Sequence, residues 1–263
     1  MWNDVVELRD FYDDRLGLIA RRMIRRRIRD FWPDVTGRRV LGIGYAAPYL
    51  GLFRDEAERM MALMPPRQGV LHWPVEGVQQ VCLADECQLP FPDLSVDLIL
   101  MVHAMECAET LRPMMREVWR VLAASGRLLV VVPNRRGLWS RLERTPFGMG
   151  RPYSRGQLKR TLRDCLFTPT RTEHALFVPP TRYRLVLSAA AAWEELGQRW
   201  MTGAAGVVLA EAVKEIYAGV STEQDRAGVF EGAREQAARL RPGKSVVHGP
   251  VASPRRNSRH INP

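Results

Sequence analysis

The sequence predicts an α/β protein whose core is a doubly wound, mostly parallel sheet with helices on both faces. Two strongly apolar runs, Val96–His103 and Arg127–Pro133, are continuous rather than alternating in hydrophobicity, which is typical of parallel strands buried on both sides. Between them, Leu111–Leu122 carries apolar residues at helical spacing. Strands that alternate with helices indicate this fold class. A chain of 263 residues, 46% of them hydrophobic, is long enough to bury one large core.

The first half of the sheet is predicted to begin at Arg38, where a short apolar run leads into Gly42 and Gly44. A helix is predicted over Tyr49–Met64, because its apolar side chains recur on one stripe and Pro65 follows it. Two shorter strands are predicted next, at Val70–Trp73 and Val78–Leu83.

The second half of the pattern is looser. Arg135–Tyr153 is rich in Arg, Gly, Pro and aromatic residues, which predicts a long loop over the strand ends. A helix is expected over Ser154–Leu166 with Ser154 as its N-cap, then a strand over Thr170–Val178 and a helix over Tyr183–Trp200. Residues 206–217 suit either a strand or a helix.

Basic charge is concentrated in two terminal segments. The net charge is +10, but residues 15–29 hold seven arginines and no acid, and residues 236–263 hold six basic residues and no acid. Without these thirteen, 26 basic residues face 29 acidic ones, so the remainder is slightly acidic. This distribution argues against nucleic acid as the main partner, because a nucleic-acid-binding domain carries basic residues on the surface of the folded domain and not only in its terminal segments.

The N-terminal basic segment has two interpretations. Leu16, Ile19, Met23, Ile24 and Ile28 recur at helical spacing, so the segment is an amphipathic helix. It either packs over the edge of the core with its arginines in solvent, or makes a weak peripheral contact with an anionic membrane.

The chain is expected to divide into three parts. Residues 1–37 form the basic helical segment, residues 38–220 the α/β domain, and residues 221–263 a disordered basic tail with few large apolar residues. No run is long enough for a membrane span, the first residues lack an apolar signal core, and the four cysteines show no metal-binding spacing. These features predict a cytoplasmic protein without a metal site.

Three stretches carry a family resemblance. They are Arg39-Val-Leu-Gly-Ile-Gly-Tyr-Ala-Ala, the segment from Leu83 through Asp-Glu-Cys-Gln-Leu-Pro-Phe-Pro-Asp to Leu100, and the segment from Glu117 to Asn134. In order and spacing this sequence resembles the class I S-adenosylmethionine-dependent methyltransferases, most closely the methyltransferase type 11 group that includes the ubiquinone and menaquinone biosynthesis enzymes. The resemblance implies a seven-stranded Rossmann-like sheet, with a cofactor-binding half at 38–134 and a substrate-side half at 135–220.

The resemblance also implies where S-adenosyl-L-methionine binds. The glycine-rich turn at Gly42, Gly44, Tyr45 and Ala46 would approach the methionine part of the cofactor. Asp85 and Glu86 would lie beside the adenine, and His103 would line the pocket. Asp97 matches an architectural position and is assigned no catalytic role.

Two cofactor contacts depart from the family pattern. Gly42 stands at the position of an acid, and Ala46 and Pro48 stand at the positions of the second and third glycines. The acid that grips the ribose would fall near His72–Val75, where Glu76 is the nearby carboxylate and Trp73 offers a stacking surface instead.

His103 is the candidate catalytic base. It ends the fourth predicted strand, and His103-Ala-Met-Glu106 would place an imidazole and a carboxylate about one helical turn apart. The alternative is that His103 only lines the pocket or caps the following helix. The arginines of residues 135–151 suit an acidic or phosphorylated substrate, or are solvated loop charges.

The leading hypothesis is therefore methyl transfer to a small, aromatic or amphipathic molecule. A non-catalytic, methyltransferase-like binding or regulatory protein with a degenerate cofactor site is the alternative. The sequence does not indicate the oligomeric state.

Overall fold

The computed structural model describes residues 2–214, apart from Arg182 and Met201. The tail expected at 221–263 lies outside these described residues. The described residues all lie in one compact unit. Within the part described, no helix is both long and apolar enough to cross a membrane.

The described residues contain one seven-stranded sheet with the strand order β3-β2-β1-β4-β5-β7-β6. The first five strands in chain order are parallel, and β7 runs antiparallel to both of its neighbours, β5 and β6. This confirms the mostly parallel, doubly wound fold. The strands are β1 (Arg39–Gly44), β2 (Arg59–Met64), β3 (Val81–Leu83), β4 (Val96–Val102), β5 (Leu122–Pro133), β6 (Phe167–Ala175) and β7 (Val207–Lys214).

Helices cover the sheet on both faces, and the buried side chains form two clusters. The predicted helix at 111–122 is present, and the helix after the long loop has Ser154 as its N-cap, with its hydroxyl accepting from the Gln157 N–H. The predicted helix at 183–200 is two helices. The helices are α1 (Val5–Asp13), α2 (Arg15–Phe31), α3 (Ala47–Leu50), α4 (Leu111–Val121), α5 (Arg155–Asp164), α6 (Arg184–Ser188) and α7 (Ala190–Trp200).

The helix predicted over Tyr49–Met64 is wrong. The helical part ends by Phe53, and Arg59–Met64 forms β2, paired in parallel with β1. The methionine-rich stripe satisfies a helix and a buried strand equally, and pairing with β1 decides between them. The predicted strand at Val70–Trp73 is also wrong, because β2 occupies the position beside β1 where this strand was expected.

The ambiguous segment at 206–217 contains β7, which is inserted between β5 and β6. The strand expected at Thr170–Val178 is β6, which begins three residues earlier. A register irregularity between Pro169 and Arg171 accompanies the proline, which has no N–H to donate to the neighbouring strand.

The basic amphipathic segment forms α2, and its apolar face is buried in the core. Arg27 pairs with Glu173 on β6, and Arg29 pairs with Glu56. Because the apolar face already packs against the protein, a membrane contact through α2 would have to use its solvent-facing side, which carries arginines and the exposed Leu18.

Asp97 ties β4 to β1. Its carboxylate accepts from the backbone N–H, Nε and Nη2 of Arg39 at 2.9, 2.9 and 3.0 Å, and these hydrogen bonds hold the pKa of Asp97 below its usual range. The position lies at the N-terminal edge of both strands, away from the strand ends where ligands bind in such sheets. Its role is therefore architectural.

Replacing Asp97 with asparagine is expected to lower the free energy of unfolding by about 1–2 kcal/mol at pH 7, because charge-assisted bonds to a partly exposed arginine are lost. Since the pKa of Asp97 is lower in the folded state, its contribution is present above the unfolded pKa of about 4 and is lost as pH falls through the folded pKa. Urea unfolding of both proteins at pH 7 and pH 3 measures this. A stability difference that stays constant down to pH 3 would contradict the assignment.

Candidate active site at the strand ends

The sheet has one topological switch point. From β1 the chain proceeds to β2 and β3 on one side, and then to β4 and β5 on the other. Crevices at such points, beyond the carboxyl ends of the strands, are where open α/β sheets bind ligands. In this chain the crevice lies where Gly44 ends β1 and Val102 ends β4.

Gly44 makes the turn out of β1 in a left-handed conformation, with φ of 78°. A Cβ on this residue would lie 2.5 Å from the Val102 carbonyl oxygen, so only glycine fits without a shift. The Tyr45 N–H donates to the same oxygen at 2.8 Å. Gly42 lies inside β1, where its missing side chain makes room for Ala46.

His103 follows β4 and is 1% exposed, with a φ of 49°. Its Nε2 lies 2.8 Å from the Tyr12 Oη, and its Nδ1 lies 3.1 Å from the Glu106 Oε1. The Tyr49 hydroxyl donates to the Tyr12 oxygen at 3.0 Å. Tyr12 therefore directs its own proton to Nε2, while Nδ1 donates to Glu106, and all four side chains form one directed chain of hydrogen bonds.

Aromatic rings pack around this chain. The Tyr12 ring stacks on Tyr45 with centroids 5.4 Å apart, and Phe147 lies 5.1 Å from the His103 ring. Burial raises the pKa of Tyr12, Tyr45 and Tyr49 well above the ordinary value. These phenols stay protonated at neutral pH and act as hydrogen-bond donors rather than bases.

Helix α1 lies across the carboxyl edge of the sheet, a placement that the sequence pattern does not predict. The Val5 N–H donates to the Gln68 carbonyl after β2, Tyr12 meets His103 after β4, and the Asn3 side chain reaches the Pro146 carbonyl beyond β5. The N-terminal segment thus contacts the loops that follow β2, β4 and β5.

Gln68, in the loop after β2, is a second feature that the sequence pattern does not predict. The residue is 1% exposed, yet neither its amide oxygen nor its amide nitrogen has a hydrogen-bond partner among the described residues. The neighbouring Arg67 pairs with Glu109 in the loop after β4, so the two loops join across the end of β1. A buried amide with both atoms unpaired is costly, which makes Gln68 a candidate ligand contact.

The remaining predicted site residues are spread more widely. Asp85 and Glu86 follow β3, as the family pattern requires, and the exposed Asp85 accepts from the Cys87 N–H at 2.7 Å. Trp73 lies in the loop between β2 and β3, nine residues beyond the end of β2. The end of β2 carries the buried Met64, so no carboxylate stands there.

Some of these contacts had a signal in the sequence. Val5, Leu8 and Tyr12 are spaced as one helix face after the N-cap Asp4, so α1 was predictable. No local pattern distinguishes Gln68, because its burial depends on α1 packing over it from more than 60 residues earlier.

Residues 38–130 match the family model described as a methyltransferase domain. This match supports the resemblance to the class I S-adenosylmethionine-dependent methyltransferases. S-adenosylmethionine is the cofactor of this class. The chain is similar to no curated protein at a significant level.

Solved structures share the fold. A complex of the Trm112 methyltransferase activator of Haloferax volcanii with a methyltransferase has 18% identity and a TM-score of 0.57, over 80% of this chain and 98% of that one. A methyltransferase of Archaeoglobus fulgidus has 18% identity and a TM-score of 0.52, over 74% and 94%. The geranyl diphosphate C-methyltransferase of Streptomyces coelicolor has 15% identity and a TM-score of 0.51, over 72% and 76%.

The residues at the switch point offer hydrogen-bond donors and acceptors that suit this cofactor. Gln68 offers an unpaired donor and an unpaired acceptor, and the buried Glu106 Oε2 is a further acceptor without a partner among the described residues. Hydroxyl and ammonium groups of S-adenosylmethionine require such partners. The glycine turn is kept at Gly44, whereas Met64 replaces a carboxylate at the end of β2.

Proposed function

We propose that this protein transfers a methyl group from S-adenosylmethionine to a small aromatic or amphipathic molecule at the carboxyl ends of β1 and β4. The Tyr12–His103–Glu106 hydrogen-bond chain is the single observation that carries the proposal. The aromatic surfaces of Tyr12, Tyr45 and Phe147 favour an acceptor with an apolar body.

His103 is proposed as the general base. Glu106 holds the imidazole by Nδ1, which leaves the lone pair of Nε2 directed toward Tyr12. An acceptor hydroxyl that takes the place of the Tyr12 hydroxyl would donate its proton to Nε2, and the Glu106 carboxylate would stabilise the resulting imidazolium. The cofactor supplies an electrophilic methyl group when bound.

Cofactor binding tests this proposal first. We expect S-adenosylhomocysteine to bind with a Kd in the micromolar range in calorimetric titration, and Asp85→Ala to weaken binding about tenfold through lost charge-assisted bonds. Asp55→Ala removes an equally exposed acid between α3 and β2 and is expected to change the Kd less than twofold.

The alternative is a methyltransferase-like binding protein without catalysis. Met64 at the end of β2 and the close packing of Tyr12 over His103 favour it. Absence of binding at millimolar S-adenosylhomocysteine, in a protein that unfolds cooperatively, would favour this alternative and contradict the proposed methyl transfer.

His103→Gln is expected to reduce kcat for methyl transfer by about 10²–10³-fold and to leave the affinity for S-adenosylhomocysteine within about threefold. The assay follows label transfer from S-adenosylmethionine to a panel of phenols and hydroxy acids. Tyr49→Phe serves as the control, because the Tyr49 hydroxyl bonds to Tyr12 rather than to His103. This variant is expected to change kcat less than about threefold. Equal losses in both variants would indicate a structural role for His103.

A further inference from the structure

A second feature at the same edge of the sheet is a cleft of about 450 Å³ between the end of β5 and the first turns of α5. Arg135, Arg151, Tyr153, Gln157 and Thr161 are among its lining residues. Every one of these five side chains carries a hydrogen-bond donor, and no acidic residue lines the cleft.

Backbone hydrogen bonds bring the two arginines together although they are 16 residues apart. The Arg135 N–H donates to the Tyr153 carbonyl at 3.0 Å, and the Tyr153 N–H donates to the Pro133 carbonyl at 2.9 Å. The Arg151 N–H donates to the Glu106 carbonyl at 2.9 Å. The main-chain positions of Arg135 and Arg151 are therefore fixed by the loops after β4 and β5.

The charges of these arginines are not neutralised locally. Arg29, Arg39 and Arg120 each pair with a carboxylate, whereas neither Arg135 nor Arg151 forms an ion pair with any residue in the part of the chain that the structure describes. Two guanidinium groups on one cleft provide donor geometry that matches a carboxylate or a phosphate.

The cleft adjoins the proposed catalytic residues. Gly150 lines it, and a Cβ at this position would lie 2.6 Å from the Glu106 carbonyl oxygen. The glycine thus lets the cleft wall touch the residue that positions His103. Burial raises the pKa of Tyr153 to about 12, so its hydroxyl is a neutral donor at pH 7.

We propose that the cleft binds an anionic group of the methyl acceptor, a carboxylate or a phosphate, through Arg135 and Arg151. This inference rests on the proposed function and names the acceptor class, an organic acid or phosphate ester. The anionic group anchors the acceptor at the end of β5, while the rest of the acceptor molecule extends toward His103.

Calorimetric titration with pyrophosphate and, separately, with citrate tests the cleft at constant ionic strength. The full-length protein is expected to bind at least one of them with a Kd in the millimolar range. The double variant Arg135→Gln/Arg151→Gln is expected to weaken that binding at least tenfold. Arg136→Gln/Arg141→Gln makes the same charge change at exposed positions of the same loop outside the cleft lining, and is expected to change the Kd less than twofold.

Two results would overturn the inference: no binding of either anion by the unmodified protein, or equal weakening in both double variants, which indicates general electrostatic attraction. Binding of pyrophosphate but not citrate assigns the cleft to phosphate esters, and the reverse assigns it to carboxylic acids. S-adenosylhomocysteine affinity, measured in the same variants, is expected to stay unchanged. A cleft that fails to bind anions in a protein that still binds this nucleoside therefore leaves the methyltransferase proposal standing.

Discussion

Replacing Gly44 with alanine is expected to lower the free energy of unfolding by about 3–5 kcal/mol. The new Cβ would lie 2.5 Å from the Val102 carbonyl oxygen and 2.9 Å from the Ala104 Cβ, so backbone at the ends of β1 and β4 must separate. A φ of 78° adds strain that a side chain increases. Left-handed strain and overpacking each cost about 1–3 kcal/mol. Urea unfolding followed by circular dichroism measures the total.

Gly51→Ala is the matched control, seven residues further along the chain. A Cβ there meets no atom within 4 Å, and φ is −56°, so alanine is expected to leave stability unchanged or raise it by up to about 1 kcal/mol. If Gly44→Ala were as stable as Gly51→Ala, the tight contact between the β1 turn and β4 would be disproved, and with it the geometry of the candidate site.

Replacing Gln68 with methionine is expected to change stability and binding in opposite directions. The free protein should gain about 1–2 kcal/mol, because a buried amide with no partner is replaced by an apolar side chain of similar size. S-adenosylhomocysteine binding should weaken about tenfold or more, since two hydrogen bonds of about 0.5–1.5 kcal/mol each are lost. Thermal unfolding with and without S-adenosylhomocysteine reports both effects.

Gln88→Met is the control, because Gln88 is exposed. It is expected to alter neither stability nor affinity measurably. A loss of stability in Gln68→Met would show that the amide forms a hydrogen bond in the free protein, for example with a water molecule, and would argue against Gln68 as a ligand contact.

The fold was predictable because the central strands have distinctive patterns. The continuous apolar runs of β4 and β5 require burial on both faces, and the helix between them has its apolar residues on one side. The region from 49 to 73 failed because Arg59–Met64 satisfies a helix and a strand equally well. Only its pairing partner, 20 residues earlier, selects the strand.

The contacts within the candidate site were predictable to a smaller extent. His103 and Glu106 are close in sequence, so their contact follows from local geometry. The partner on the other ring nitrogen is Tyr12, 91 residues away, and no local rule connects the two. The family pattern led to Trp73 as a substitute for the ribose acid, because the second strand was placed too late in the chain. With β2 at its observed place, Gln68 is the first buried polar side chain after it.

The insertion of β7 between β5 and β6 has a consequence for how the protein is made. β6 pairs with β7 and with no other described strand, so it has no place in the sheet until β7 arrives. During synthesis, β5 presents an open edge and β6 stays unattached until residues 207–214 leave the ribosome. An unpaired apolar edge such as that of β5 is a template for pairing with other chains. The nascent protein is therefore most exposed to aggregation over the roughly 75 residues between the end of β5 and the start of β7, and a chaperone acting on it has most to protect in that interval.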